Sequence, residues 1–333
     1  MGHLPAILIG VWQKLRKVKW GNYHPPGRST NYPNFTNPKI TGMKVCGFSF
    51  VRNGVKFDYP FEEAIRSILP LCDEFIIAVG KSEDGTLEKV RSIDPKIKVL
   101  ETVWDESLRK GGEVFADETN KAFQAIPSEY DWAFYIQGDE VVHEQYLPVI
   151  KKAMQDNLPN QQVEGLLFNY RHFFGSYDFI GAKYSWYRRE IRIVRNRKDI
   201  FSFRDAQGFR IGENRKLKVK LIDAFIYHYG WVREPKALQK KIESNIRLYR
   251  EAAEIRKDNE ATSAYEYDKA TEPVTKFEGT HPTLMKERIL RKNWPFNPDP
   301  NLKYASTKDK LKRIIAKWTG WYPGEYKNYT LIK

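Results

Sequence analysis

Two neighbouring acids stand in Gln137-Gly138-Asp139-Glu140, directly after the apolar run Trp132 to Ile136. Carboxylates at the carboxyl end of a buried strand can hold a divalent cation through oxygen, and such a cation bridges phosphates. Gly138 lets backbone approach closely there. An acid pair after a strand also serves as a helix cap, so the tetrapeptide alone leaves both readings open. Asp84-Gly85-Thr86 follows a second apolar run, Phe75 to Val79. Such a turn can hydrogen-bond a nucleotide base or ribose, or simply turn the chain and cap a helix. In Tyr227-His228-Tyr229-Gly230-Trp231-Val232-Arg233 a histidine sits among aromatics, a glycine and an arginine. That setting suits phosphate or metal contact as well as a satisfied core histidine.

Apolar periodicity supplies the elements that must position these residues. Val45 to Phe50, Phe75 to Val79, Ile97 to Leu100 and Trp132 to Ile136 read as buried strands. The spacing of Phe61, Ala64, Ile65, Ile68 and Leu69, and of Phe115, Thr119, Ala122, Phe123 and Ile126, predicts helices with one buried face. A further helix is expected around Tyr146 to Met154. This β-α-β-α-β-α-β alternation predicts an α/β fold with a mixed, mainly parallel central sheet, helices on both faces, and ligands outside the carboxyl ends of the strands. After Glu164 the pattern becomes strand-rich and basic, with strands at Leu166 to Tyr170, Glu190 to Val194 and Leu221 to Tyr227. Pro235 opens a long helix whose inner side is Leu238, Ile242, Ile246 and Tyr249. A basic amphipathic stretch runs from Lys308 to Trp318.

Composition narrows the classes. With 41% hydrophobic residues among 333, a disordered polyelectrolyte is excluded. Two cysteines, Cys46 and Cys72, cannot build a disulfide scaffold, which suits a reducing compartment. No window is apolar for the length of a bilayer span. The net charge is +14, and the basic residues cluster in 1–40 and between Lys183 and Lys220, which points to anionic partners.

In order and context these pieces resemble family 2 glycosyltransferases of the GT-A (Rossmann-like) fold. Val45 to Asn53 (VCGFSFVRN) is similar to the family's first strand and the Asn after it. Ser82 to Thr86 resembles the turn after the second strand, and Gly111 to Asn120 the glycine-led helix carrying an Asn. Gln137 to Glu144 (QGDEVVHE) occupies the place of the Asp-x-Asp motif, and His228 that of a late His near the diphosphate. The resemblance covers about residues 44 to 235. It divides the chain into a basic N-terminal extension (1–40), a GT-A domain (41–235, nucleotide-binding half 41–160, acceptor half 161–235) and a C-terminal helical extension (236–333). Two positions depart from the pattern. Gln137 replaces the first acid of Asp-x-Asp, and Gly80 or Lys81 stands where the uridine-contacting acid belongs.

The resemblance implies transfer of a sugar, with inversion, from a nucleoside-diphosphate sugar to a glycan or glycolipid hydroxyl. Mn²⁺ or Mg²⁺ would be held by Asp139 and His228, and the donor by Ser49, Phe50, Arg52, Asn53, Ser82, Asp84, Asn120, Gln137 and Gly138. Asp205 is the preferred base, with Glu190 and Glu140 as competitors. The setting implied is cytoplasmic, with peripheral contact at the inner membrane face through the segment near Arg16 or that from Lys308 to Trp318. Two rival readings are a catalytically inactive GT-A-like binding domain and a basic nucleic-acid-binding protein; the latter is disfavoured, because the Asp139-Glu140 pair would sit at the ligand edge.

Overall fold

The computed structural model describes residues 42–249, 264–267, 272–298, 307–319 and 322–332. The N-terminal extension (1–40) lies outside the described residues. The first half alternates strands and helices: β1 (Val45–Val51), α1 (Phe61–Ile68), β2 (Glu74–Gly80), α2 (Thr86–Arg91), β3 (Ile97–Thr102), α3 (Glu113–Gln124), β4 (Trp132–Tyr135), β5 (Glu140–Val142) and α4 (Leu147–Asn157). The second half is mostly strand: β6 (Gly165–Phe174), β7 (Ser176–Gly181), β8 (Arg189–Arg195), β9 (Ile200–Phe203), β10 (Gly208–Ile211), β11 (Arg215–Lys216) and β12 (Lys218–Trp231). Then follow α5 (Pro235–Tyr249), β13 (Val274–Lys276), α6 (Lys286–Leu290), α7 (Thr307–Thr319) and β14 (Thr330–Leu331).

The main sheet runs β3-β2-β1-β4-β8-β6-β7-β13, with β12 branching from β6 to pair with β5 and β14. Strands β1 to β4 are mutually parallel; beyond β4 the sheet is mixed. This is a Rossmann-like α/β fold consistent with the GT-A type. The chain passes from β1 outward to β3 and then returns to the other side of β1 as β4. That reversal opens a crevice between the carboxyl ends of β1 and β4, where α/β sheets bind ligands.

The period-two alternation of strand side chains divides the core. Phe75, Ile77, Trp132 and Phe134 point to the face covered by Phe61, Ile65 and Ile68 of α1. Their neighbours Ile76, Ala78, Ala133 and Tyr135 point to the opposite face, against Ala122 and Phe123 of α3. A third, largely aromatic cluster joins Phe173, Phe174, Tyr227 and Tyr229 to Leu238 of α5 and Trp294. The residues after 235 thus share a core with the sheet.

Three arginines of the basic segment turn inward. Arg192, Arg195 and Arg210 are buried. Arg195 donates to the Asn157, Leu158 and Asn160 carbonyls at the end of α4 (2.5, 3.0 and 3.1 Å), where a cation opposes the helix dipole. Arg210 donates to Asn328, and Arg215 pairs with Glu164 at 2.6 Å. Arg197, Lys198, Arg215, Lys216 and Lys218 remain exposed, so the segment keeps a basic surface.

Arg192 makes the deepest pair. Its Nε and Nη2 donate to the two carboxylate oxygens of Glu140 at 2.8 and 2.7 Å, while Tyr170 Oη donates to the same carboxylate at 2.7 Å. Both side chains are fully buried. Replacing Arg192 by Met strands the carboxylate, so the urea unfolding midpoint should fall by the equivalent of about 3–5 kcal/mol, and a loss under about 1 kcal/mol would mean the pair does not anchor β5 to β8.

Candidate active site

The crevice at the switch point is a cavity of about 250 Å³. Phe50, Val51 and Arg52 at the end of β1 form one side, and Gln137, Gly138 and Asp139 after β4 form its floor. Trp104, Phe115, Trp186, Tyr187 and Trp231 make most of the wall apolar. Asp205 and Gln207 enter from the turn between β9 and β10, and Leu238, Lys241, Ile242 and Asn245 from α5. Aromatic faces with a few convergent polar groups suit a ligand that combines flat or ring-shaped parts with charge.

Asp139 is the centre of the polar end. Its Oδ2 accepts from Lys241 Nζ at 3.1 Å and Arg233 Nη2 at 3.2 Å. Its Oδ1 lies 3.7 Å from His228 Nε2. Arg233 is fully buried, stacks 3.9 Å from the Tyr59 ring and donates to the Phe57 carbonyl at 2.6 Å. The Tyr229 amide donates to the Asp139 carbonyl at 2.8 Å, which ties β12 to this turn. Gly230 is required at that junction: a Cβ there would come within 2.6 Å of the His228 ring and 3.0 Å of Asp139 Oδ2.

A chain of hydrogen bonds sets the tautomer of His228. His172 Nε2 donates to the Tyr187 carbonyl at 2.7 Å, so its Nδ1 is the acceptor facing His228 Nδ1 at 3.0 Å. Burial holds both imidazoles below their ordinary pKa, and His228 lowers His172 further. With both rings neutral, His228 carries its proton on Nδ1 and leaves the Nε2 lone pair toward Asp139.

Burial alone would raise the Asp139 carboxyl; the cations Lys241 and Arg233 outweigh it and hold the group well below the usual carboxylate range. Burial, followed by repulsion from Arg233, pulls the Lys241 ammonium down to about 8 against the attraction of Asp139. One carboxylate thus faces two cations, leaving the polar end net positive and suited to an anion.

Asp139 Oδ1 and His228 Nε2 are oxygen and nitrogen donors turned toward each other, a pair that could hold Mg²⁺ or Mn²⁺. Among the described residues no three His, Cys, Asp or Glu side chains gather to form a complete metal cage.

Of the residues expected from sequence, Phe50, Arg52, Gln137, Gly138, Asp139, Asp205 and His228 line the cavity. The others are engaged elsewhere. Ser49 donates to the Ile136 carbonyl at 2.6 Å, locking β1 to the end of β4. Asn53 accepts from the Glu83 amide and donates its own amide to Ser82 Oγ, so these two hold adjacent loops together. Asp84 accepts from the Lys56 and Thr86 amides at 2.5 and 3.2 Å; the plain turn-and-cap reading describes it. Asn120 pairs with both backbone groups of Ser202 and fastens α3 to β9. Glu140 turns into the core to meet Arg192, and Glu190 is buried and accepts from Gln207 Nε2 at 2.6 Å.

Both departures from the family pattern have physical reasons. Gln137 donates to the Ala206 carbonyl at 3.2 Å and Tyr135 Oη at 3.3 Å, holding the Asp205 turn against the sheet, which a carboxylate cannot do. Gly80 lies under Trp104, whose Nε1 would come within 2.4 Å of any Cβ. Among the described residues the buried Trp104 Nε1 and Arg52 Nε have no hydrogen-bond partner, two donors at the aromatic end of the cavity.

Sequence reading missed Lys241, His172 and Tyr59, and noted Arg233 only as a neighbour of His228. Lys241 had a signal: it stands three residues after Leu238 and four before Asn245, on the apolar stripe of α5. His172 had none, because its role depends on β6 lying beside β12.

No family model and no curated protein matches the chain. Among solved structures, S. aureus TarS is similar at 15% identity over 64% of this chain and 41% of that one, with a TM-score of 0.37. TarS 1–349 in complex with UDP gives 15% identity, 64% and 68% coverage, and a TM-score of 0.37. Glucosyl-3-phosphoglycerate synthase from Mycobacterium tuberculosis, in complex with Mn²⁺, UDP and glucosyl-3-phosphoglycerate, gives 17%, 43% and 52%, with a TM-score of 0.27. The chain spans about two-fifths of the length of the first of these. Likeness of this degree carries no functional weight.

The charge arrangement predicts a pH dependence. Lys241 is cationic below about 8 and neutral above it, so affinity for inorganic pyrophosphate, measured calorimetrically, should fall as pH rises through that value. In Lys241→Met the affinity should be weaker at neutral pH and the fall should disappear; an unchanged pH profile in that variant would remove Lys241 from the site.

Proposed function

We propose that this chain is a glycosyltransferase that moves a sugar from a nucleoside-diphosphate sugar to a hydroxyl of a glycan or glycolipid. The observation that carries the reading is one cavity with a net-positive pole around Asp139, an aromatic wall, and the Asp205 carboxylate on a separate turn. A nucleoside-diphosphate sugar has matching parts: a flat base, a diphosphate and a pyranose ring. In this reading the base stacks near Trp104 and Phe115 and takes hydrogen bonds from the Arg52 and Trp104 donors. The diphosphate lies against Lys241, and the sugar and acceptor lie toward Trp186, Tyr187 and Asp205.

Breaking the bond from the anomeric carbon to phosphate leaves negative charge on the departing diphosphate. Lys241 neutralises that charge directly, and Arg233 adds a fixed positive field in a largely apolar cavity, where it acts more strongly than in water. A divalent cation held by Asp139 and His228 would supply Lewis-acid assistance to the same oxygens. As the anomeric carbon gains positive character, an acceptor hydroxyl attacks and Asp205 takes its proton. A single displacement of this kind inverts the anomeric centre. Aromatic rings around the cavity exclude water, which would otherwise compete with the acceptor.

In this scheme Asp205→Asn should lower kcat by about 10²–10⁴-fold while donor affinity stays nearly unchanged. Asp139→Asn should weaken donor binding itself. Both are measured by titrating nucleotide sugars, with and without Mn²⁺, in thermal-shift and release assays. A chain that binds nucleotide sugars normally but never turns them over with any acceptor would favour the inactive binding domain instead. No shift with any nucleotide sugar would end the transferase reading.

A further inference from the structure

Helix α7 is built inside out. Leu311, Ile314 and Trp318 are 59, 55 and 84% exposed, and their spacing of three and four residues sets them on one face. The opposite face holds the helix to the protein: Ala316 is buried, Lys312 lies 4.8 Å from the Tyr184 ring and Arg313 donates to the Ala182 carbonyl. An ordinary surface helix buries its apolar stripe and exposes its polar side. Here the apolar stripe faces out, and Lys310 and Lys317 are exposed beside it.

We infer that α7 is a membrane-surface helix that seats this chain on an anionic bilayer. An apolar stripe ending in tryptophan and flanked by lysines is what partitions into the headgroup boundary, with the cations meeting acidic lipid. The charges argue against a second copy as the occupant, since two such faces would bring like-charged rims together. The stripe is one helix wide, and a fluid lipid surface needs no complementary shape. Its position gives the contact a use. Ala182 and Tyr184 belong to the segment that continues into Ser185, Trp186 and Tyr187 of the cavity wall, so docking would hold that wall near the lipid. The inference concerns the surface alone and stands whatever ligand the cavity takes.

The test is flotation of the full chain with vesicles of phosphatidylcholine alone and of phosphatidylcholine mixed with phosphatidylglycerol, at low and high salt. The wild type should float with the anionic vesicles and bind them at least about tenfold more tightly than neutral ones, with salt weakening the contact. Leu311→Ser/Ile314→Ser/Trp318→Ser should lose most of that binding with an unchanged melting temperature, because the replaced side chains are exposed. Lys310→Glu/Lys317→Glu should lose the preference for anionic lipid. Failure of the wild type to float, or flotation of the triple variant like the wild type, overturns the inference. A concentration-dependent dimer in light scattering that the triple variant abolishes overturns it too, by making a second copy the occupant.

Discussion

Two adjacent carboxylates pointing opposite ways are the constraint on which the site depends. Glu140 enters the core, where Arg192 and Tyr170 satisfy it. Its neighbour Asp139 is thereby held at the cavity floor. A buried ion pair of this kind contributes little net stability compared with an apolar substitute, but it tolerates no change of register without stranding a charge. It fixes β5 against β8 and β6, and with them the direction of Asp139. Gln137, one turn earlier, reaches across to the Asp205 turn, so both candidate chemical groups hang from the same short segment.

The polar end of the cavity is arranged for an anion before any arrives. Asp139 is shared by Lys241 and Arg233, and His228 is kept neutral by burial and oriented by His172. Such preorganisation costs folding free energy, since each buried cation loses solvation; Lys241, pulled down to about 8, carries that cost visibly. A ligand bearing negative charge would relieve the repulsion between Lys241 and Arg233. Carbonyl partners from Phe57 and Gly230 keep Arg233 in place meanwhile.

The segment after residue 235 is part of the site as well as of the fold. Helix α5 supplies a wall and Lys241, while Arg288 of α6 grips the loop carrying Phe57 and Tyr59 through Asp58 and the Tyr59 carbonyl. That loop in turn stacks Tyr59 on Arg233. The sheet end, the loop and the C-terminal helices therefore form one interlocked surround.

Local pattern was enough to read the parallel half of the sheet. Apolar runs such as Phe75 to Val79 and the helical spacing of Phe61, Ile65 and Ile68 reflect burial periods that act within a few residues. The same logic placed Asp139 and His228 at the sheet rim, where both line the cavity. Which of two neighbouring acids faces the cavity, that Asp84 and Asn120 close turns and clamps, and that Arg192, Arg195 and Arg210 point inward could not be read that way. Those outcomes depend on partners distant in the chain, such as Arg192 for Glu140 and Ser202 for Asn120. Sequence by itself determined the periodicities, hence the strands, helices and the rim where chemistry could occur. Only the tertiary structure decided which charges met, because pairing energy depends on distance and burial in space, and neither is set by separation along the chain.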